Sequence, residues 1–201
     1  MKKELREWII SIGLTLIALF IIRSFFFVQY QVSGDSMAPT FEDKDRVIIN
    51  KMPIWTNGLD RGDVIVFHAN DKSDYIKRLV GLPGDKVEYK DDLLYVNGKV
   101  VEEKYLQANR EMNVNPMLTE NFSVKTLAHS GGKDTIPAGK YLVLGDNREI
   151  SLDSRKPELG LINTKNVVGK VSVRIWPFKD FENDFYEEDF DKVNQLKKPI
   201  Q

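Results

Sequence analysis

The chain has 201 residues, enough for one ordinary domain and an appendage. Its 29 Lys and Arg nearly balance 30 Asp and Glu, for a formal net charge of -1, so we do not expect nucleic acid as a partner. The lack of cysteine excludes cysteine proteases, thiolate metal sites and disulfides. The two histidines, His68 and His129, have no ligand-like spacing, so neither a metal nor another cofactor is expected.

The N-terminus differs sharply from the rest of the chain. Residues 8–22 carry no charge, Arg23 interrupts the run, and apolar residues resume at 25–28. Residues 8–28 would measure about 30 Å as a helix, which matches the core of a bilayer. Arg23 can reach the interface from near a helix end, and aromatic residues at both edges suit the interfaces. The pattern therefore predicts a transmembrane anchor helix over 8–28.

A cleaved secretory signal is the alternative interpretation of this segment. Such a signal should end in small residues, whereas large aromatic residues follow here. Lys2, Lys3 and Arg6 precede the span, so the positive-inside rule places residues 1–7 in the cytoplasm and residues 29–201 outside. We therefore expect a single-pass protein of the cell membrane with an extracytoplasmic globular domain.

The remainder of the chain is predicted to be mostly β. Asn97-Gly98 between two short apolar runs predicts a type I′ hairpin, and no helical periodicity is sustained outside the anchor. Residues 105–135 are polar and are expected to form a surface excursion or a small subdomain. The segment 180–191, which is rich in Asp and Glu, is expected to be a solvated tail whose aromatic residues contact the globular domain. The alternative is a segment that docks a partner. The predicted strands are 46–50, 63–67, 75–80, 93–96, 100–101, 141–144 and 167–176.

Three segments combine turn-forming residues with side chains that could perform chemistry: residues 33–40, 75–85 and 145–155. Each also has a purely structural interpretation, because Ser, Gly, Asp, Asn and Pro all favour turns. In a strand that begins at Tyr75, Lys77 and Arg78 face opposite sides, so one of these two cations must be sheltered. A sheltered lysine loses solvation and its pKa falls, as a general base requires. The residues alone favour a snorkelling or salt-bridged lysine over a catalytic one.

In this order behind an anchor, the three segments resemble the bacterial type I signal peptidases, in particular the short, single-anchor Gram-positive forms. The patterns Ser-Met-x-Pro-Thr, Tyr-x-Lys-Arg-x-x-Gly-x-Pro-Gly-Asp and Gly-Asp-Asn-Arg-x-x-Ser-x-Asp-Ser-Arg are all intact. The resemblance runs from the anchor to residue 178. It implies an antiparallel β-sheet or barrel-like serine–lysine protease domain with one N-terminal transmembrane helix.

The same resemblance implies a function. The protein would be a membrane-bound serine endopeptidase that removes N-terminal signal peptides by a Ser-Lys dyad. It would cut after small-x-small sequences such as Ala-x-Ala. Exported precursors that carry signal peptides and the lipid bilayer would be its partners, and we expect it to be a monomer.

Site roles follow from the resemblance residue by residue. Ser36 corresponds to the nucleophile, with its backbone N–H in the oxyanion hole, and Lys77 to the general base. Ser151 corresponds to a serine whose hydroxyl helps to orient the lysine. Arg78, Asp153 and Arg155 correspond to charged residues that support the site. Asp146, Asn147 and Arg148 correspond to a turn that shapes its wall. The residues that correspond to the substrate pockets are Tyr30, Val32, Met37, Tyr75 and Ile76.

The chemistry fits these roles. A serine hydroxyl is a poor nucleophile without a base within hydrogen-bond reach, and no histidine here has a triad context. A neutral lysine is therefore the best candidate, and an alkaline pH optimum is expected. Some relatives have a serine at the position of Gly34 whose hydroxyl completes the oxyanion hole, so the second oxyanion donor is left open.

Two other functions are compatible with the fold. An inactive homologue could bind precursors without cutting them, but the presence of both Ser36 and Lys77 argues against it. A self-cleaving regulator is the second alternative, because the C-terminal domains of SOS repressors also resemble this family in using a Ser–Lys dyad. Those regulators carry a DNA-binding domain, whereas an apolar span occupies the N-terminus here.

Overall fold

The computed structural model describes residues 2–195, without the side chains of Lys2, Leu5, Ile21 and Ile22. The described part consists of one long helix, three short helices and twelve strands, which are joined by turns and by short 3-10 helices. The helices are α1 (Lys2–Phe26), α2 (Met52–Trp55), α3 (Gln107–Met112) and α4 (Asp191–Asn194). The strands are β1 (Phe27–Gln31), β2 (Arg46–Asn50), β3 (Val64–Asn70), β4 (Ser73–Gly81), β5 (Val87–Lys90), β6 (Leu93–Val96), β7 (Lys99–Val101), β8 (Phe122–Ser123), β9 (Lys140–Leu144), β10 (Ile162–Asn163), β11 (Val167–Trp176) and β12 (Glu182–Asn183).

The larger sheet is antiparallel and strongly curled. Its order is β1-β2-β11-β3-β4-β9-β10, and β12 pairs with β11. Although β2, β11 and β3 lie between β1 and β4, Tyr30 Oη on β1 donates to Asp74 Oδ2 on β4 at 2.7 Å. The two ends of this run of strands therefore face each other. The prediction of a mostly β, antiparallel, barrel-like domain is confirmed.

Register shifts along β11 explain part of the curl. The pairing of β11 with β3 shifts between Val167 and Gly169, and the pairing with β2 shifts twice more. Such bulges increase the local twist of a strand. A Cβ atom on Gly169 would lie 2.5 Å from the carbonyl oxygen of Asn50, so glycine permits the close approach of β2. The curl thus has a local cause in the sequence of one long strand.

The smaller sheet has the order β7-β6-β5-β8 and shares a hydrophobic core with the larger one. Val87 and Leu94 from the small sheet belong to the same buried cluster as Leu142 from β9. The turn between β6 and β7 has φ values of 53° at Asn97 and 78° at Gly98. Both values are positive, as a type I′ turn requires, so the predicted hairpin is confirmed.

All seven predicted strands are present. Those at 46–50, 93–96 and 167–176 coincide with β2, β6 and β11, and the other four differ at their ends by one to three residues. The strands β1, β5, β8, β10 and β12 were not predicted, nor were α2, α3 and α4. These elements have only two to six residues, which is too short for a periodic pattern to stand out.

Helix α1 ends earlier than the predicted anchor. Phe27 and Val28, expected to be helical, begin β1 and pair with Asn50 and Ile49. The part Arg6–Phe26 is long and apolar enough to cross a membrane. The end of the helix rests on the domain, since the Trp55 ring lies 5.2 Å from that of Phe25 and 5.5 Å from that of Phe26, centroid to centroid.

Two segments of unclear pattern contribute to the interior. Within 105–135, Leu106, Val124 and Leu127 are buried, and the last two belong to the core shared by both sheets. Within the acidic residues 180–191, Phe185 and Phe190 are buried. The expected contact between its aromatic residues and the body is confirmed, and the acidic segment lies across the domain as part of its structure.

Phe190 and Phe181 allow a matched test of this interior contribution. Phe190 is 0% exposed and Phe181 is 62% exposed. We expect Phe190→Ala to lower the free energy of unfolding by about 3–5 kcal/mol, because it leaves a cavity in the core. Phe181→Ala should change it by less than about 0.5 kcal/mol. Guanidinium unfolding followed by tryptophan fluorescence measures both, and equal losses would contradict the packing described here.

Candidate active site

Ser36 and Lys77 meet across the curled sheet. Ser36 lies in the loop after β1, and Lys77 lies in β4. Lys77 Nζ donates to Ser36 Oγ at 2.6 Å and to the carbonyl oxygen of Ile76 at 2.9 Å. The distance between Nζ and Oγ is that of a direct hydrogen bond, which is the contact needed to move a proton between them.

Lys77 is sheltered from solvent, with 3% of its surface exposed. Burial lowers the pKa of Lys77 from 10.5 to about 8, against the charges of Asp153 and Asp146, which raise it. Those two carboxylates make no salt bridge to the lysine, because Asp153 binds Arg155 and Asp146 binds Arg78. A substantial fraction of Lys77 is therefore neutral in mildly alkaline solution.

A cleft of about 240 Å³ opens beside the pair. Four of the five predicted pocket residues line it: Tyr30, Val32, Tyr75 and Ile76. Met37, the fifth, is not among the residues that line the cleft. It is 0% exposed and packs in the core cluster that also contains Val32, Val47 and Val66, which do line the cleft.

Ile150 and Leu152 also line the cleft and were not predicted. They alternate with Ser151 and Asp153, which are buried. This period of two places the apolar side chains toward the cleft and the polar ones toward the interior. The alternation was visible in the third motif, where the sequence interpretation considered only the polar residues.

Ser151 is in a different situation from the one the resemblance implies. Its side chain is buried next to the active pair, but within residues 2–195 its Oγ has no hydrogen-bond partner. Lys77 Nζ is directed to Ser36 and to the Ile76 carbonyl instead. The expected hydrogen bond between Ser151 and Lys77 is therefore not formed in this structure.

Asp153 and Arg155 fix both ends of the turn formed by residues 145–155. Asp153 Oδ2 accepts from Gly145 N at 3.0 Å, and Asp153 Oδ1 accepts from Arg155 Nε at 2.9 Å. Arg155 Nη2 also donates to the carbonyl oxygen of Arg148 at 2.8 Å. Burial alone would raise the pKa of Asp153, but the guanidinium of Arg155 and the N–H of Gly145 hold it below its usual value. Asp153 therefore stays ionised.

Arg78 and Asp146 form a fully buried ion pair beneath the same turn. Arg78 donates to the two carboxylate oxygens of Asp146 at 3.0 and 2.7 Å, and to the carbonyl oxygens of Gly62 and Phe185 at 2.8 and 2.9 Å. Asp146 Oδ2 also accepts from Thr40 Oγ1 at 2.7 Å. Such complete pairing is what makes a buried charge tolerable. The pair links β4 to the loop of Ser36 and to the acidic segment.

Arg148 links the turn to the smaller sheet, through partners that the sequence did not reveal. It is buried and donates to Glu103 Oε1 at 2.6 Å, to Tyr89 Oη at 2.9 Å and to the carbonyl oxygen of Gly145 at 2.9 Å. Tyr89 Oη also donates to Glu103. Glu103 directly follows Glu102 in a polar stretch, so no local pattern distinguishes it from a solvated residue.

Two backbone N–H groups near Ser36 were candidates for donating to a substrate oxyanion, and they differ in whether they already have an acceptor. Among the described residues, the backbone N–H of Ser36 has no acceptor, so it is available to a substrate oxygen. The N–H of Gly34 is used, because it donates to Asp43 Oδ1 at 2.9 Å. Asn147 connects the turn to the loop of Ser36, since its backbone N–H donates to the carbonyl oxygen of Ser36 at 3.1 Å.

No group of three potential metal ligands occurs in the part of the chain that the structure describes.

The chain is similar to known proteins along most of its length. A family model described as signal peptidase, peptidase S26, matches residues 5–176. The chain is 51% identical to signal peptidase IB of Staphylococcus aureus over 189 residues, 94% of this chain and 98% of that protein. It is 44% identical to signal peptidase I of Bacillus caldolyticus over 184 residues, 92% of this chain and 97% of that protein. A crystal structure of a signal peptidase I from Enterococcus faecalis V583 is 40% identical, with a TM-score of 0.51, and covers 57% of this chain and 97% of that chain.

Gly145 provides a steric test of the site. A Cβ atom there would lie 2.1 Å from Ser151 Oγ and 2.5 Å from the carbonyl oxygen of Ser36. We expect Gly145→Ala to lower the free energy of unfolding by about 1–3 kcal/mol, because the turn must move away from the loop of Ser36. Gly58→Ala is the control, since the nearest atom is the movable hydroxyl of Thr56 at 3.0 Å. Equal unfolding curves for the two variants would show that the approach at Gly145 is not tight.

Proposed function

The chain belongs to the signal peptidase family, peptidase S26, and we propose that Ser36 and Lys77 are the catalytic dyad with which it cuts. It is a signal peptidase I, an enzyme that removes signal peptides from exported precursors. The observation that carries the proposal is the 2.6 Å contact between Lys77 Nζ and Ser36 Oγ in a mostly apolar cleft. That contact supplies the nucleophile with a base whose pKa is already lowered.

In the proposed mechanism, neutral Lys77 takes the proton of Ser36 Oγ as this oxygen attacks the scissile carbonyl carbon. The backbone N–H of Ser36 donates to the oxyanion of the tetrahedral intermediate. When the C–N bond breaks, Lys77 gives its proton to the leaving amine, which is the N-terminus of the mature protein. Water then attacks the acyl-enzyme with Lys77 again as base, and the signal peptide leaves as a carboxylate.

The supporting residues are proposed to act through electrostatics and geometry. Asp153 is ion-paired with Arg155, and Asp146 with Arg78. The positive charge of each arginine offsets part of the electrostatic potential that the carboxylate produces at Lys77. This limits how far they raise the pKa of the lysine, and burial dominates. Ser151, with a buried and unpartnered hydroxyl next to the pair, is proposed to accept from Lys77 or from substrate during the reaction.

The cleft supports the small-x-small specificity. A substrate bound in extended conformation directs alternate side chains toward the same wall. The first and third residues before the scissile bond would then face the cleft, and the middle one would face away. A cavity of about 240 Å³ between Tyr30, Val32 and Ile76 has room for small side chains at these two positions.

We also propose the membrane arrangement. Helix α1 would span the bilayer with residues 1–7 in the cytoplasm, because Lys2, Lys3 and Arg6 precede its apolar part. Ser36 follows the end of the helix by ten residues and one strand. The cleft would therefore lie close to the outer surface, where the cleavage site of a precursor emerges. One copy of the chain contains every proposed catalytic group, so the enzyme is proposed to act as a monomer.

Two alanine variants test the dyad. We expect Ser36→Ala and Lys77→Ala to lower the rate of precursor cleavage by at least about 1,000-fold, because each removes one member of a unit. Ser73→Ala and Lys72→Ala, near the turn between β3 and β4, are matched controls that should cleave at the wild-type rate. The assay follows the shortening of an exported precursor by the purified protein in detergent. Wild-type rates in either dyad variant would refute the assignment.

The pH dependence follows from the lowered pKa of Lys77. A base must be neutral, so activity should rise about tenfold per pH unit below pH 8 and level off above it. The rise goes with increasing pH, because deprotonation produces the active form. A profile of kcat/KM for a peptide substrate measures it, and an acid limb near 10.5 would contradict the sheltering of Lys77.

A further inference from the structure

Two segments carry most of the site, and they touch along a short seam. We call residues 33–41 the nucleophile loop and residues 145–155 the supporting turn. Two contacts of the seam come from the segments themselves: Asn147 N donates to the Ser36 carbonyl at 3.1 Å, and Thr40 Oγ1 donates to Asp146 Oδ2 at 2.7 Å. A third comes from outside both, from Asn109 on α3.

The side-chain amide of Asn109 bridges the seam. Its Nδ2 donates to the carbonyl oxygen of Ala38 at 3.0 Å and to that of Asp146 at 2.8 Å. An amide NH₂ has two hydrogens, and here each serves one of the two segments. Ala38 lies two residues after Ser36. Asp146 directly precedes Asn147, whose backbone N–H donates to the carbonyl oxygen of Ser36. The bridge is therefore placed where it sets the spacing between the nucleophile and the turn.

The base of the bridge is firmly held. Leu106, which precedes α3, is 0% exposed, and Glu103 just before it is buried against Arg148. Met37 and Phe41 anchor the later part of the nucleophile loop in the core, whereas residues 34 and 35, just before Ser36, are exposed and have little packing of their own. A loop that is weakly packed on one side depends on its hydrogen bonds for its position.

We propose that Asn109 is a positioning residue for signal-peptide cleavage, which holds Ser36 at its hydrogen-bonded distance from Lys77. The proposal rests on the proposed role of Ser36 and Lys77. It also gives a function to the segment 105–135. Catalytic geometry is sensitive to such a support, because a displacement of about 1 Å can cost about 100-fold in rate.

Asn109→Ala and Asn109→Asp test the proposal. We expect kcat to fall about 10- to 100-fold in the alanine variant, with KM within about threefold of wild type, because substrate binds to cleft walls that the change does not touch. Asn109→Asp should lower kcat at least as much, since it replaces the NH₂ group, which donates to two carbonyl oxygens, by an oxygen that can only accept. The new side chain is no larger than that of asparagine in either variant, so neither substitution creates a steric clash around α3.

The pH profile separates positioning from a general loosening of the fold. Lys77 owes its lowered pKa to burial. If Asn109→Ala only loosened the domain, water would reach Lys77 and the acid limb would move to higher pH. If Asn109 positions Ser36, the plateau falls while the acid limb stays near pH 8.

Asn194 offers a matched control. Its Nδ2 also donates twice, to the carbonyl oxygen of Arg61 at 2.9 Å and to Tyr186 Oη at 3.0 Å, but neither acceptor belongs to the nucleophile loop or the supporting turn. Asn194→Ala should lower the melting temperature as Asn109→Ala does, with kcat within about twofold of wild type.

Three results would overturn the proposal: more than half of the wild-type kcat in Asn109→Ala, an acid limb that moves up with the loss of kcat, or an equal loss in Asn194→Ala. Failure of the dyad itself has a different signature, because Ser36→Ala or Lys77→Ala would then still cleave. Thr40→Val supplies a second variant of the same seam. If both bridges position Ser36, the losses in the double variant with Asn109→Ala will not be additive.

Discussion

The site depends above all on the buried ion pair between Arg78 and Asp146. Arg78 follows Lys77 in β4 and is directed to the opposite side of the strand, where it meets Asp146 and two backbone carbonyl oxygens. The nucleophile loop, the supporting turn and the acidic segment all converge on this pair, through Thr40, Asp146 and Phe185 respectively. Burial opposes the charge of Arg78, but Asp146 raises the pKa of the guanidinium above its usual range. Its charge is therefore permanent.

The contrast between the two neighbouring cations is the physical basis of the site. Arg78 is buried with a bidentate partner and keeps its proton, whereas Lys77 is buried without an ion pair and can lose it. A guanidinium suits the first role and an ammonium the second, because only lysine changes its protonation readily on burial. The strand alternation that separates them also places the lysine in the cleft and the arginine in the interior.

The sequence predicted the fold class, the long strands and the family, because alternation over five or more residues and three intact motifs are strong local signals. It did not predict β5 or the two-residue strands, whose pairing is decided by tertiary contacts. Within the site, the complete burial of Met37 was not foreseen, because motif membership does not say how exposed a side chain is. Glu103 and Asn109 escaped notice for a related reason: each acts across a large sequence separation, and nothing around them in the chain marks the partner.

The junction between α1 and β1 has a consequence for the selection of the cleavage site. The strand begins at the residue after the helix ends, and Trp55 packs on the last turn of the helix. No loop joins the two, so the strand carries the chain on from the helix end toward Ser36, and its five residues measure about 17 Å. With the helix as the proposed anchor, the domain would act as a molecular ruler: it would select a bond by its distance from the apolar stretch of the precursor as well as by the side chains beside it.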